Sequence, residues 1–219
     1  LIFKLMGGPY NSLNLDVAKH PDYIFTEQVF KNYIFSFEKS TRIDNQLVYV
    51  IAFSQNKSVS EPYYYGELYI DAQTLAIRSA VFNMNLANKD AAADLFIVKK
   101  PQNAKVTPTV ASYRIDYVAK DGLWYYNYSR IELGLKINWK RKLFNTTYFA
   151  TIEMAVTDWD VPEDPKNFRT DRIKPNVIVS DEPIGFSDPE FWGDFNVIEP
   201  EKSIESAIRK IKRQLDKSY

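Results

Sequence analysis

The chain of 219 residues carries 28 basic and 28 acidic side chains, so no net charge draws it to nucleic acid or to an anionic membrane surface. It has no cysteine, which excludes disulfides, a thiol nucleophile and cysteine-ligated zinc. Aromatic residues are abundant (15 Tyr, 14 Phe and 4 Trp), as expected of half-buried β-strands. No run of residues approaches the ~18 apolar positions of a transmembrane segment.

The first half of the chain predicts a series of strands. Residues 1–22 contain turn signals and little periodicity, so we expect an irregular start. After Phe30, aromatic residues at every second position predict a strand with one buried face, formed by Tyr33, Phe35 and Phe37. A turn at Asp44-Asn45 leads into Leu47–Ser54, which is apolar on both faces and therefore predicts a central strand.

A hairpin and a short helix follow. Two β-forming segments, 63–71 and 75–85, flank the turn sequence Asp71-Ala72-Gln73-Thr74 and predict a hairpin. Asn88 is suited to cap a helix that runs through three alanines towards Pro101. The sequence therefore predicts one helix, at 88–100, inserted among the strands.

The longest predicted strand covers residues 123–140, where apolar and polar side chains alternate from Ile131 onward. Eighteen extended residues would span about 60 Å, so we expect the strand to bend, with Gly134 as the least hindered position. Strands at 110–119 and 147–158 complete the set. Their hairpin order favours an antiparallel meander over parallel βαβ units.

Beyond residue 157 the sequence changes character. A proline-rich acidic stretch with scattered aromatic residues, 158–200, predicts an extended arm packed on the domain. Residues 201–219 predict an amphipathic C-terminal helix. We therefore predict a mainly β (α+β) fold: a strongly curved antiparallel sheet or half-barrel over 1–157, with a short inserted helix and the C-terminal helix packed on it.

Two segments resemble known families. Tyr65-Gly66-Glu67-Leu68-Tyr69-Ile70-Asp71 and the stretch from Phe191 to Pro200 resemble the β-rich C-terminal region of exported Bacteroidota proteins that carry a carboxypeptidase-like regulatory domain. The hairpin that begins at Tyr65 is also similar to LolA/LolB-like lipoprotein carriers, whose half-barrels hold acyl chains. The resemblance implies an exported protein, periplasmic or associated with the outer membrane. It supplies no catalytic residue.

Candidate sites are few. We expect an apolar or lipid-like ligand, or a protein partner, to bind aromatic residues on the sheet, namely Tyr65, Tyr69, Trp124, Tyr126 and Trp139. The alternative interpretation is that these rings form a core beneath the C-terminal helix. His20 is the only histidine and lies in a turn-like segment, so we expect no Ser-His-Asp chemistry. No cofactor and no metal site is expected, because the acidic cluster Asp158, Asp160, Glu163 and Asp164 lacks EF-hand spacing.

These observations predict a non-enzymatic cell-envelope domain that binds a ligand or partner on its sheet. One alternative is a purely structural interaction module of an assembly associated with the outer membrane. The other is a hydrolase that uses carboxylates on the strands, for which the candidates are Glu67, Asp71, Asp116, Glu132 and Glu153. On a sheet, such acids are more often cross-strand partners of Lys or Arg.

Overall fold

The computed structural model describes residues 4–140, 143–157, 159 and 174–178. The predicted helix at 201–219 and most of the predicted arm at 158–200 lie outside these ranges. The described residues divide into two compact units, one formed by 4–14 with those from 153 onward, the other by 15–152. The first unit contains α1 (Pro9–Leu13) and an isolated antiparallel bridge in which the Gly7 N–H donates to the Val177 carbonyl at 2.7 Å.

The second unit is built on an open, curved antiparallel sheet, which confirms the mainly β fold class. The strands follow the order β1-β3-β4-β5-β6-β7-β8, and the short β2 pairs with β3 beside β1. Their bounds are β1 Tyr33–Phe37, β2 Thr41–Ile43, β3 Gln46–Gln55, β4 Tyr64–Asp71, β5 Ile77–Met84, β6 Ala104–Lys120, β7 Leu123–Trp139 and β8 Thr146–Ala155, whose last residues belong to the first unit. The predicted strand at 123–140 is confirmed as β7.

Strands β6 and β7 form one hairpin of 17 residues on each side. A two-residue turn joins them, with Asp121 (φ 53°) and Gly122 (φ 79°) both left-handed, as a type I′ turn requires. The pairing register shifts twice, once between Pro108 and Val110 and once where Asp116 faces Tyr128 but Tyr117 faces Tyr126. Each shift leaves one residue unpaired, so these β-bulges bend the hairpin.

Two short helices and one 3-10 turn accompany the sheet in this unit. The predicted inserted helix is confirmed as α3 (Lys89–Phe96), and the Asn88 side chain caps it by accepting from the Ala91 N–H at 3.2 Å. Before the sheet, a single 3-10 turn (Pro21–Tyr23) precedes α2 (Glu27–Phe30). The Thr26 hydroxyl caps α2 by accepting from the Val29 N–H at 3.2 Å.

One face of the sheet, which we call the core face, carries the aromatic and aliphatic core. Its buried residues on the three central strands are Tyr64, Ala80, Phe82, Met84, Ala111, Tyr113, Ile115 and Tyr117. The segment 15–31 covers this face: Leu15, Val17 and Ile24 are buried, and Phe25 packs against Phe53 at 5.0 Å between ring centroids. The sequence predicts this covering role for the C-terminal helix, which lies outside the described residues. The opposite side, called the outer face below, carries more polar side chains but also buries Val48, Val50 and Tyr128.

Candidate functional site

Tyr65 and Tyr69, two of the predicted ligand-binding residues, lie on the outer face of β4. They pair with Asn83 and Ser79 on β5, and on its other side Tyr69 pairs with the buried Val50 of β3. Tyr65 is exposed and Tyr69 is half-buried. The Tyr69 hydroxyl donates to Glu67 Oε2 at 2.5 Å, and this hydrogen bond, aided by burial, raises the pKa of Tyr69 to about 12. The surface around Tyr65 is therefore polar and exposed, whereas Tyr69 also borders a buried valine.

The other three predicted residues lie on the core face of β7. Tyr126 is buried edge-on against Tyr117 at 5.9 Å, and burial raises its pKa. Trp124 is half-buried and its indole N–H donates to Thr74 Oγ1 at 3.1 Å. Trp139, also half-buried, lies opposite Ala104 at the far end of the hairpin, separated from Trp124 by roughly 50 Å of strand at ~3.3 Å per residue. The structure thus brings Trp124 and Tyr126 together and separates them from Tyr65, Tyr69 and Trp139.

Side chains fill the centre of the core face. Phe82 stacks on Tyr113 at 5.0 Å between ring centroids, and Tyr64 meets Phe82 edge-on at 5.5 Å. Burial raises the pKa of both Tyr64 and Tyr113, because a phenolate loses its hydration there. On the side of the covering segment, Tyr23 reaches Tyr64 at 6.1 Å. These rings belong to the core of the unit.

The acidic side chains of the strands are held by neighbouring donors. Asp116 accepts from Arg114 Nε at 2.9 Å and from Ser79 Oγ at 2.6 Å. Glu132 forms an ion pair with Arg130 at 2.5 Å. Such pairs along and across strands are common stabilising contacts of antiparallel sheets.

Asp71 has a structural role at the turn between β4 and β5. Its Oδ1 accepts from the Thr74 N–H at 2.8 Å, from the Thr74 hydroxyl at 2.8 Å and from the Gln73 N–H at 3.1 Å. The Thr74 N–H, followed by these other donors, holds the pKa of Asp71 below its usual value, against an opposing effect of burial. The carboxylate therefore fixes the hairpin turn that the sequence predicts.

The structure also places His20, the only histidine of the sequence, within the covering segment 15–31. His20 precedes the 3-10 turn, and its backbone N–H donates to the Asp16 carbonyl at 2.6 Å. Among the described residues, no group of three or more His, Cys, Asp or Glu side chains is placed to hold a metal ion. The predicted cluster Asp158, Asp160, Glu163 and Asp164 lies outside those residues.

A second aromatic surface, which the sequence did not single out as a site, lies where β1 forms the edge of the sheet. Phe30, Phe35 and Phe37 remain 53%, 36% and 64% exposed, and we call this group the aromatic edge. Phe30 stacks on Phe35 at 5.0 Å between ring centroids, and Phe25 packs behind Phe35 at 5.6 Å. Phe37 contacts Tyr49 at 5.9 Å. Three exposed rings are thus held in a fixed arrangement beside the core.

Within the described ranges, no helix is both long and apolar enough to cross a membrane. Comparison of the chain with protein-family models, with curated proteins and with solved structures finds no match.

Proposed function

We propose that this protein is a non-enzymatic binding domain and that its aromatic edge binds a protein partner. The observation that carries the proposal is the exposure of Phe30, Phe35 and Phe37 on adjacent elements of one surface. Contiguous exposed apolar side chains are a feature of interaction sites, whereas scattered single ones are not. Aromatic residues also contribute disproportionately to the binding free energy of protein interfaces.

The arrangement of the rings supports the same proposal. Phe30 and Phe35 are stacked, and next to them Phe25 and Tyr33 contact each other edge-on, with 5.1 Å between their ring centroids. Rings that are already positioned lose little conformational freedom when a partner binds, which favours affinity. The core face, by contrast, is filled by its own aromatic packing, so the aromatic edge is the better candidate for binding.

The ion-paired acids support a non-enzymatic role. A hydrolase of the predicted type needs two carboxyl groups facing one substrate. Here Asp116 and Glu132 are each paired with an arginine, and Asp71 holds a turn. These contacts favour the binding function over the hydrolase alternative.

We also propose, from the resemblance of the Tyr65–Asp71 hairpin to exported Bacteroidota proteins, that the domain acts in the cell envelope. There its partner would be a periplasmic or outer-membrane-associated protein. Fractionation of cells that produce the full-length protein tests this location. Recovery of the protein in the cytosol would contradict it.

The binding proposal is tested by selecting displayed random peptides on the purified protein and measuring their affinities for three variants. Phe37→Ser should weaken the selected peptides by about tenfold or more, because a buried phenylalanine ring contributes about 1.5–3 kcal/mol. Leu95→Ser is the matched control, since Leu95 is 61% exposed on α3, away from β1. Tyr65→Ser tests the polar surface of β4 in the same way.

Equal affinity for the wild-type protein and Phe37→Ser, or a loss only in Tyr65→Ser, would refute the assignment to the aromatic edge. A fluorescent fatty acid is titrated in parallel. Uptake that Phe37→Ser abolishes, without any selected peptide, would assign the surface to a lipid and overturn the protein-partner proposal.

A further inference from the structure

In β1, the residues with aromatic side chains are those whose backbone N–H and C=O groups are not bonded to β3. The residues on either side of β1 show which positions bond to β3. The Glu38 N–H donates to the Val50 carbonyl at 2.8 Å, and the Asn32 carbonyl accepts at 2.7 Å from the N–H of Asn56, the residue after β3. Hydrogen-bonded and non-hydrogen-bonded positions alternate along an antiparallel pair. The backbone N–H and C=O groups of the even-numbered residues of β1 therefore point to β3. Those of Tyr33, Phe35 and Phe37 lie in the plane of the sheet and point in the opposite direction.

Within the described part of the chain, the edge of β1 opposite β3 has no strand partner, since β1 is terminal in the strand order and pairs only with β3. Exposed edge strands are usually protected by charged side chains, by proline or by a bulge. The sequence Tyr33-Ile34-Phe35-Ser36-Phe37 contains no charge and no proline, and its register with β3 is continuous. Ile34, on the other face, is also 56% exposed. The edge thus lacks the usual protection against another strand.

We infer that the partner binds by adding an extended segment to the edge of β1 opposite β3. This segment has apolar side chains at alternate positions. This inference rests on the proposed binding function and specifies its mode. Main-chain hydrogen bonds to Tyr33, Phe35 and Phe37 would supply affinity, and the rings would select the apolar side chains. Five residues of strand, about 17 Å long, limit the added segment to about five residues.

Charges beside β1 indicate the ends of that segment. Lys31 and Lys39 flank the strand and are exposed, whereas Glu38 is the single acid between them and accepts from the Ser36 hydroxyl at 3.0 Å. The flanks therefore carry an excess of positive charge around an uncharged strand. A partner segment with acidic residues at both ends complements this pattern, whereas a segment with basic residues at its ends would be repelled by Lys31 and Lys39.

The probe is the capped synthetic peptide Glu-Val-Phe-Val-Phe-Val-Glu, titrated onto the full chain by calorimetry. Two further peptides carry N-methyl groups on alternate residues, one on the odd-numbered positions of the peptide and the other on the even-numbered positions. Only every second residue of an added strand bonds to β1, so one phase should bind about tenfold more weakly and the other nearly as well as the parent. Amide hydrogen exchange in the complex should slow at Phe35 and Phe37 while Ser36 stays unchanged.

Equal affinities of the two methylated peptides, unchanged exchange at Phe35 and Phe37, or no binding of the parent peptide would overturn strand addition. The library experiment with Phe37→Ser would still decide the binding function, so the two failures are distinguishable. Lys31→Glu with Lys39→Glu should weaken the acidic peptide and strengthen its lysine-ended counterpart. Concentration-dependent dimers that disappear in Phe37→Ser would instead show that a second copy of this chain occupies the edge.

Discussion

Substitution of Gly66 by alanine should destabilise the protein strongly, because β4 and β5 approach closely at this residue. An added Cβ would lie 2.5 Å from Phe82 Cα and 2.7 Å from Phe82 Cβ, and would also overlap the Val81 carbonyl oxygen. Real Cβ atoms essentially never come within 3.0 Å of such neighbours. The overlapping atoms belong to the backbone of β5 and to the root of a fully buried side chain, so neither can rotate away.

The cost follows from the shift that alanine would force. Overpacking a well-packed core by one group costs about 1–3 kcal/mol, and here three contacts are violated together, so we place the loss of packing at about 4 kcal/mol. Replacing glycine also removes conformational freedom from the unfolded chain, which offsets about 0.4–1 kcal/mol. The free energy of unfolding should therefore fall by about 3 kcal/mol, a large part of the 5–15 kcal/mol typical of a domain.

Urea denaturation, followed by far-UV circular dichroism, measures this change against two other glycines. Gly134→Ala should cost about 1–2 kcal/mol, because its nearest neighbour, Thr109 Oγ1 at 2.7 Å, belongs to a side chain that can move. Gly122→Ala meets no atom within 4 Å and should cost about 1 kcal/mol through its positive φ alone. A loss below about 1 kcal/mol in Gly66→Ala, or a larger loss in Gly122→Ala, would contradict the reasoning about close strand approach.

Two further predictions concern hydrogen bonds that hold the sheet and its covering segment. Asp71→Ala should lower the free energy of unfolding by about 2 kcal/mol at pH 7, since donors from Gln73 and Thr74 lose their acceptor. The folded-state pKa of Asp71 is lowered, so its ionic contribution to stability is complete above the unfolded value of about 4 and is lost as pH falls through the folded value. The urea midpoints of wild type and Asp71→Asn should therefore converge as the pH is lowered below the unfolded value. Tyr117→Phe should cost about 1–2 kcal/mol, because its hydroxyl donates to Asp16 Oδ1 at 2.8 Å and accepts from the Ala18 N–H at 3.2 Å. The Ala18 N–H also donates to Asp16 Oδ1 at 3.2 Å, so the urea midpoint is the deciding measurement, and an unchanged midpoint would contradict this role.

Local patterns in the sequence were sufficient to predict most strands. Alternation in 123–140 predicts β7, and the Asp121-Gly122 turn joins β7 to β6. The predicted start of β6 at Val110 is six residues late, since the strand begins at Ala104. Pro108 is the reason: proline normally argues against a central strand, but here it lies beside a bulge that removes the need for a regular ladder hydrogen bond.

The location of the candidate site was harder to predict, because the face on which a residue lies depends on register. Tyr126 and Tyr128 have the same parity in the sequence, which suggests one face. In the structure, Asn127 is the extra residue of a bulge, so Tyr126 pairs with Tyr117 on the core face while Tyr128 pairs with Asp116 on the outer face. A bulge between two tyrosines leaves no local signal, and Tyr126 and Tyr128 therefore lie on opposite faces despite their spacing.

The role of the covering segment and the edge position of β1 are also determined by tertiary structure. Leu15 and Val17 lie within residues 1–22, for which the sequence predicts only an irregular start, and Ile24 and Phe25 follow without any strand or helix period. Tyr33, Phe35 and Phe37 show the alternation of a half-buried strand, but nothing in five residues states whether one or two strands will pair with them. Edge position is set by long-range pairing with β3.

Strand β1 connects the core to the proposed binding surface within five residues. At one end Tyr33 is buried, packs edge-on against Phe53 at 5.8 Å, and its hydroxyl accepts from the Tyr64 N–H at 3.2 Å. At the other end Phe37 is 64% exposed. Because the buried end fixes the position and direction of the strand, the exposed end is presented in an extended conformation before any partner arrives. Such preorganisation reduces the entropy lost on binding, so even a short edge can provide specific affinity.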